Sequence, residues 1–222
     1  MIIAIDESGN PSNENPYILG ISVILKEKEY EKNYVKIPEK LFGKFKVLKY
    51  SESLPKPSRI EGPNAKGLFI EFLSNYVIPI GIIIEKYEKI KGELAVNIWG
   101  RLIAYHVNEI LLKFKPNEVT IIYDRNPLLT NNEKMFIINN FHKWIKGVKS
   151  VIRLNIGGKD RDIWVSSADF IAGLIREELW CIEGKLIGEY CKSVNEWFNL
   201  LKPYIYFYTT DDIKILFGIL YK

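Results

Sequence analysis

The sequence has little cysteine and histidine, and this shortage excludes several kinds of site. Of 222 residues, two are cysteines and two are histidines. Cys181 and Cys191 are too few for a disulfide framework and lack partners at the spacing of a zinc site, so we expect a reducing, cytoplasmic compartment. His106 and His142 have no cysteine or acidic residue at ligand spacing, and we interpret both as structural.

Long apolar runs and the common nucleotide-binding motifs are also missing. The stretch YVIPIGIII is too short to cross a bilayer, and the amino terminus has no basic segment before an apolar one. The segment IGGKD lacks the spacing of a phosphate-binding P-loop, and Ser8 lacks the preceding glycine of a nucleophile elbow. We therefore expect no membrane partner and no esterase or P-loop chemistry.

The strand and helix patterns of the sequence predict one α/β domain over residues 1–222. Three strand-like segments come first, MIIAI, YILGISVIL and IPIGIIIEKY. An irregular region over residues 26–78, with a short helix near AKGLFIEFLSNY, reads as an insertion after the second strand. Residues 186–222 read as a helical extension, whose last helix begins near TTDD and whose aromatic segment YIYFY covers the core or mediates a homodimer.

The middle of the chain alternates between helix and strand patterns. A long helix over GELAVNIWGRLIAYHVNEILLKF is followed by the strand EVTIIYD, a helix, the strand SVIRLNI and a helix capped by Ser166 or Ser167. The resulting order is β-β-β-α-β-α-β-α. Since a chain that leaves a hairpin through a helix returns beside the first strand, the order favours a mixed sheet flanked by helices.

The positive charge of the chain is concentrated between residues 26 and 50. This segment has eight lysines and four glutamates, an excess equal to the net charge of +4 of the whole chain. Aromatic residues lie between the lysines, a pattern typical of surfaces that bind nucleic-acid backbones and stack bases. The alternative is a solvated Lys/Glu surface with its aromatic rings turned inward. For nucleic-acid binding the candidate residues are Lys40, Lys44, Lys46 and Lys49.

Three aspartates occupy comparable places at the ends of predicted elements. Asp6 ends the first strand, Asp124 ends the strand VTIIY, and Asp169 lies in the first turn of a later helix. Ligands gather at the carboxyl ends of strands in open α/β sheets, so Asp6 and Asp124 meet if their strands are parallel neighbours. Asp169 shares a helix face with the small residues Ala172 and Gly173, which allow close approach to a sheet.

Three converging carboxylates without histidine or cysteine favour a hard cation, Mg²⁺ or Mn²⁺. Such ions activate water and stabilise a leaving oxygen, which matches hydrolysis of phosphodiester bonds. Each aspartate also has a structural interpretation. Asp6 would start an Asx turn, Asp124 would pair with Arg125, and Asp169 would be a first-turn acid favoured by the helix dipole.

The segments AIDESGNP, IIYDR and SSADFIAGLIR together resemble the domain of unknown function 3800 family, whose members look like ribonuclease H-like proteins. The resemblance implies a ribonuclease H-like sheet and an acidic site similar to those of metal-dependent nucleases. By position it assigns metal-binding and catalytic roles to Asp6, Asp124 and Asp169. The family often has glutamine three residues before the last aspartate, where this chain has Ser166.

A fourth acid is assigned less directly. The segment LKYSESL is similar to the central acidic segment of the family and points to Glu52, although no histidine follows it here. Topology alone points instead to Glu93 or Glu109 on the long helix, and Glu7 lies beside the first aspartate. Among these we select Glu52 as the fourth catalytic residue.

The sequence therefore predicts a metal-dependent nuclease that acts on DNA or RNA. The rival hypothesis from another class is a non-catalytic ribonuclease H-like module that binds nucleic acid or a protein partner in a defence or mobile-element system. Metal dependence separates the two hypotheses. A ligand that binds only the native state stabilises it, so the nuclease gains thermal stability with Mg²⁺ or Mn²⁺ and the binding module does not.

Overall fold

The structure is a computed structural model that describes residues 1–8, 16–50, 64–85, 93–124, 131–145, 149–154 and 163–216. Within these ranges the chain forms six strands and eight helices. The strands are β1 Ile2–Ser8, β2 Tyr17–Ile24, β3 Val77–Glu85, β4 Glu118–Tyr123, β5 Lys149–Leu154 and β6 Tyr204–Thr209. The helices are α1 Glu27–Tyr34, α2 Lys36–Phe42, α3 Asn64–Tyr76, α4 Glu93–Phe114, α5 Asn131–Trp144, α6 Ile163–Ile182, α7 Glu189–Leu201 and α8 Thr210–Leu216.

The six strands form one mixed sheet in the order β5-β4-β1-β2-β3-β6. Neighbours β1, β2 and β3 are antiparallel, as expected for consecutive strands joined without a crossover. Helix α4 then carries the chain across the sheet, and β4 pairs parallel to β1, followed by β5 parallel to β4. The predicted mixed sheet flanked by helices is therefore confirmed.

Helices cover both faces of the sheet, and each face has its own apolar core. Side chains alternate between the faces along a strand, so Ile3 and Ile5 of β1 join the core with α4 and α5. Ile2 joins the opposite core, which contains α1, α3 and α6. Strands buried on both faces read as almost continuous apolar runs, which is why β1 and β2 were recognisable in the sequence.

Three features of the carboxyl-terminal part differ from the predictions. Helix α6 begins at Ile163, so Ser166 and Ser167 lie inside it and the prediction that either is its cap was wrong. The aromatic segment predicted as part of a helical tail is the edge strand β6, paired parallel to β3. Cys181 and Cys191 form a disulfide between α6 and α7, which the sparse cysteine content did not predict.

The predicted start of the last helix is confirmed. Helix α8 begins at Thr210, as predicted from TTDD, and the Asp212 carboxylate accepts hydrogen bonds from the amide and hydroxyl of Thr209 at 2.7 Å each.

None of the helices in the described ranges combines the length and the apolar character needed to span a bilayer. The homodimer stays a prediction.

Candidate functional site

Strands β1 and β4 place Asp6 and Asp124 side by side. Ile5 and Tyr123 are in register across this parallel pair, and the amide of Asp124 donates a hydrogen bond of 2.9 Å to the carbonyl oxygen of Ile5. The next residues, Asp6 and Asp124, therefore share one face of the sheet, the face covered by α6. Asp6 lies inside β1 and not at its end, because β1 continues to Ser8 along β2 after β4 has ended.

A glycine on β2 brings the third aspartate to this place. Gly20 pairs with Asp6, and a Cβ atom on Gly20 would lie 2.3 Å from the carbonyl oxygen of Ala168 and 2.8 Å from the amide nitrogen of Ala172. The backbone of α6 thus touches the sheet beside Asp6, and Asp169 is the next residue after Ala168. Since α6 begins at Ile163, Asp169 is in its second turn, where the helix dipole contributes little.

Replacing Gly20 with alanine is expected to destabilise the protein by about 1–3 kcal/mol, because the added methyl group must push the backbone of α6 away from β2. Urea denaturation of the wild type and Gly20→Ala measures the change. Gly184→Ala is the contrasting control, since no atom lies within 4 Å of a Cβ there and only its positive φ of +71° opposes the substitution. Wild-type stability in Gly20→Ala would show that α6 does not need this close contact.

The electrostatic environment of Asp6 is unfavourable for a negative charge. Its side chain is buried, with 8% of the residue exposed. Burial raises the pKa of Asp6 well above its ordinary value, and the nearby carboxylates of Asp169, Asp124 and Glu7 raise it further, in that order. The Glu7 amide, which donates a hydrogen bond of 2.8 Å to Oδ1 of Asp6, opposes this effect only in part. A cation placed among these carboxylates would reverse the penalty.

The donor atoms in this place fit a hard divalent cation. Asp6, Asp124 and Asp169 offer carboxylate oxygens, which Mg²⁺ and Mn²⁺ prefer. Oδ2 of Asp169 accepts a hydrogen bond of 2.8 Å from the amide of Tyr50. Within the described part of the chain, no three acidic, histidine or cysteine side chains stand close enough to form a finished ligand set. The charges of Asp124 and Asp169 nevertheless act on Asp6, so the three aspartates lie in one region.

The candidates for a fourth acid have different positions. Glu52 lies outside the described residues, as does Arg125, and its assignment stays a prediction. Glu7 follows Asp6 on the strand and points to the other face, where the Tyr123 hydroxyl donates to it a hydrogen bond of 2.9 Å. Glu109 is exposed on α4, also on that other face, beside the side chains of Tyr204 and Tyr206. Glu109 therefore lies across the sheet from Asp6.

The end of the lysine-rich segment is fixed against α6 beside the acids. The amide of Leu48 donates a hydrogen bond of 2.8 Å to the hydroxyl of Tyr34, and its carbonyl oxygen accepts one from Ser166. Two residues later, the amide of Tyr50 binds Asp169. Ser166 thus anchors this segment, and the segment in turn orients the carboxylate of Asp169.

Of the four lysines predicted to bind nucleic acid, Lys40 lies on α2, Lys44 and Lys46 follow this helix, and Lys49 lies between the anchored residues Leu48 and Tyr50. Lys40 and Lys44 are exposed, whereas Lys46 and Lys49 are half-buried. The ammonium of Lys46 lies 5.1 Å from the centre of the Phe42 ring. The alternative with inward aromatic rings holds for the buried tyrosines Tyr30, Tyr34 and Tyr50, but not for the phenylalanines of the segment.

Sequence reasoning missed a buried charged cluster behind Asp169, which we call the Lys66 cluster: Lys66, Glu177, Tyr50 and Tyr190. The ammonium of Lys66 lies 2.8 and 3.0 Å from the two carboxylate oxygens of Glu177 and 2.7 Å from the hydroxyl of Tyr190. Glu177 also accepts hydrogen bonds from the hydroxyls of Tyr50 and Tyr190. Burial and then the charge of Glu177 raise the pKa of Tyr50 well above its ordinary value, so its hydroxyl stays a donor.

One signal for this cluster was present in the sequence. Asp169 and Gly173 are one helical turn apart, and the next residue on the same face is Glu177. The ring of Tyr50 packs on Gly173, since a Cβ atom there would lie 2.4 Å from ring atoms of Tyr50. An acid on the buried face of an apolar helix requires a partner, and that partner, Lys66, is distant in sequence.

His106 has the structural role expected from the sequence. It is buried, and its Nε2 atom lies 3.1 Å from the hydroxyl of Tyr208. Burial lowers the pKa of His106 to about 4, so the ring is neutral at neutral pH. Its neighbours are aromatic rings on β6, on the opposite face of the sheet from Asp6.

The comparisons with known proteins give low similarities. No family model matches the chain, and no curated protein matches it. Among solved structures, a chain of the PCNA:RNase HII complex from Archaeoglobus fulgidus is 14% identical, with a TM-score of 0.45, covering 90% of this chain and 89% of that one. Ribonuclease H2 from Pyrococcus horikoshii OT3 is 16% identical, with a TM-score of 0.47, covering 89% of this chain and 98% of that one. With its mixed sheet in the order β5-β4-β1-β2-β3, the chain has a ribonuclease H-like α/β fold.

Proposed function

We propose that the protein hydrolyses phosphodiester bonds in nucleic acid and uses Mg²⁺ or Mn²⁺ held by Asp6, Asp124 and Asp169. The observation that carries the proposal is that Asp124 and Asp169 lie near the buried carboxylate of Asp6, close enough for both of their charges to raise its pKa beyond the effect of burial. Membership of the domain of unknown function 3800 family is part of this proposal.

The residues have distinct tasks in the proposed reaction. Asp6 and Asp124 would hold the cation from adjacent strands, and Asp169, whose orientation is set by the amide of Tyr50, would complete the protein ligands from α6. The bound ion supplies activation of water and stabilisation of the leaving oxygen. Lys40, Lys44, Lys46 and Lys49 hold the phosphate backbone of the substrate through charge.

The test is a cleavage assay on labelled single-stranded and duplex DNA and RNA, with Mg²⁺, Mn²⁺ or EDTA. We expect cleavage of at least one substrate with Mg²⁺ or Mn²⁺ and none with EDTA. Asp169→Asn should lower the rate roughly a thousandfold, because several kcal/mol of transition-state stabilisation depend on the metal. Asp211→Asn, at an exposed position in α8, is the matched control and should cleave like the wild type.

Two results of this assay would overturn the proposal. The first is binding of nucleic acid without cleavage of any substrate under any metal condition, which favours the non-catalytic module. The second is cleavage that is unaffected by EDTA or by Asp169→Asn, which would place the activity elsewhere or in a contaminant.

A further inference from the structure

The lysine-rich segment exposes two phenylalanine rings. Phe42 is 41% exposed and Phe45 is 51% exposed, whereas the three tyrosines of the segment are at most 2% exposed. A single exposed apolar residue on a protein surface is normal. Here two aromatic rings lie three positions apart, with the exposed lysines Lys40 and Lys44 on either side of Phe42. Their combination with these lysines distinguishes them from scattered apolar residues.

The local backbone holds these rings at the surface. Phe42 is the last residue of α2, and Gly43 ends the helix in a left-handed conformation with φ of 69°. The turn directs the following residues away from the helix axis, and Phe45 follows two residues later. Above Phe42, the Lys46 ammonium lies 5.1 Å from the ring centre. A cation beside an exposed ring is suited to a ligand that has both a negative charge and a flat aromatic part.

The exposed rings are connected to the acidic site by a short, fixed piece of chain. Phe45 precedes Tyr50 by five residues, so their Cα atoms are at most about 18 Å apart even in a fully extended chain. Leu48 and Tyr50 are anchored on Tyr34, Ser166 and Asp169 by hydrogen bonds. A strand whose phosphate reaches the aspartates therefore has its neighbouring nucleotides within reach of this surface.

We infer that Phe42 and Phe45 form a stacking platform for unpaired bases of a single-stranded nucleic acid, while the neighbouring lysines hold its phosphates. The inference rests on the proposed function and adds the substrate class, a strand or flank with unpaired bases. Phosphate contacts alone do not separate single strands from duplexes. Exposed aromatic rings distinguish single strands from duplexes, because a duplex keeps its base faces stacked inside, while a single strand exposes them to the protein.

The test measures binding in EDTA by fluorescence anisotropy, with labelled single-stranded DNA, single-stranded RNA and duplex DNA. We expect the wild type to prefer single strands. Phe42→Ala/Phe45→Ala should weaken single-strand binding about tenfold or more and leave duplex binding almost unchanged. Phe207→Ala removes a ring that is 59% exposed on the edge strand β6, and this control should change neither. Circular dichroism melts check that all variants are folded.

A charge variant separates stacking from phosphate binding. Lys40→Ala/Lys44→Ala should weaken single-strand and duplex binding alike and reduce the slope of log K against log salt by roughly 1–2. The stacking platform is wrong if the double phenylalanine variant binds single strands like the wild type, or loses duplex binding to the same extent. If either of those binding results is found together with metal-dependent cleavage, only the stacking platform is wrong and the proposed function stands. If the double phenylalanine variant shows the expected loss of single-strand binding but the wild type cleaves no substrate, only the nuclease is wrong. The two single-strand arms show whether the platform prefers DNA or RNA.

Discussion

Asp6→Asn is expected to abolish cleavage and, at the same time, to raise the stability of the metal-free protein. Both effects have one cause. The carboxylate of Asp6 is buried near the negative charges of Asp169, Asp124 and Glu7, which costs stability when no cation is bound and provides a ligand when one is. Asparagine has almost the same shape and no charge, so it removes the repulsion without leaving a cavity. The expected loss of cleavage is roughly a thousandfold or more.

The gain in stability should depend on pH in a defined direction. The pKa of Asp6 in the folded protein is raised above the unfolded value of about 3.9. A raised carboxyl pKa stabilises the fold below the unfolded pKa, and this contribution is lost as the pH rises through the folded pKa. In EDTA, the stability of Asp6→Asn relative to the wild type should therefore increase from about pH 4 upward.

Urea denaturation in EDTA at several pH values measures this difference, and the same experiment with Mn²⁺ should reverse the order of the two proteins. Asp211→Asn again serves as the control, because Asp211 is exposed on α8. Undiminished cleavage by Asp6→Asn would remove Asp6 from the mechanism. A variant that is less stable than the wild type in EDTA at every pH would contradict an electrostatic penalty at Asp6.

Lys66→Met is expected to destabilise the protein strongly, with a loss of about 3–5 kcal/mol in the free energy of unfolding. The side chains of Lys66 and Glu177 are 0% and 6% exposed. Methionine fills much of the volume of the lysine, but it leaves the Glu177 carboxylate buried with hydroxyl donors only. The energetic penalty comes from this isolated charge rather than from lost packing.

Two variants make the result specific. Lys66→Met/Glu177→Leu removes both charges and should recover part of the lost stability, because no isolated charge remains. Lys185→Met breaks a similar contact, 2.7 Å from Glu183, but at an exposed place where the side chains are 51% and 40% accessible, and should cost at most about 1 kcal/mol. Equal losses for Lys66→Met and Lys185→Met, measured by urea denaturation, would show that burial of the pair has no special role.

The sheet was predictable from the sequence because its signals are local. Strands β1 to β4 are buried on both faces and therefore appear as apolar runs, and the parallel pairing of β1 and β4 follows from the helix crossover. The strand β6 was missed because an edge strand with exposed aromatic residues has neither a continuous apolar run nor a regular alternation.

The candidate site was predictable only in part. Asp6, Asp124 and Asp169 could be chosen because each lies in or directly after a recognisable element. The role of Gly20 in bringing α6 to the sheet, and the contacts of Tyr50 with Asp169 and Glu177, depend on residues far apart in sequence. Such contacts leave no periodic pattern along the chain, so only the folded structure reveals them.

Binding of a divalent cation by the three aspartates is the central claim, and a thermal melt tests it most directly. Wild type and Asp124→Asn are compared in EDTA, Mg²⁺ and Mn²⁺. An ion about a hundredfold above its dissociation constant adds about 2.7 kcal/mol to the wild type, which raises Tm by about 5–10 °C in a chain of this size. We expect this shift in the wild type and its loss in Asp124→Asn. The absence of a shift in the wild type, or an equal shift in both proteins, would contradict the claim.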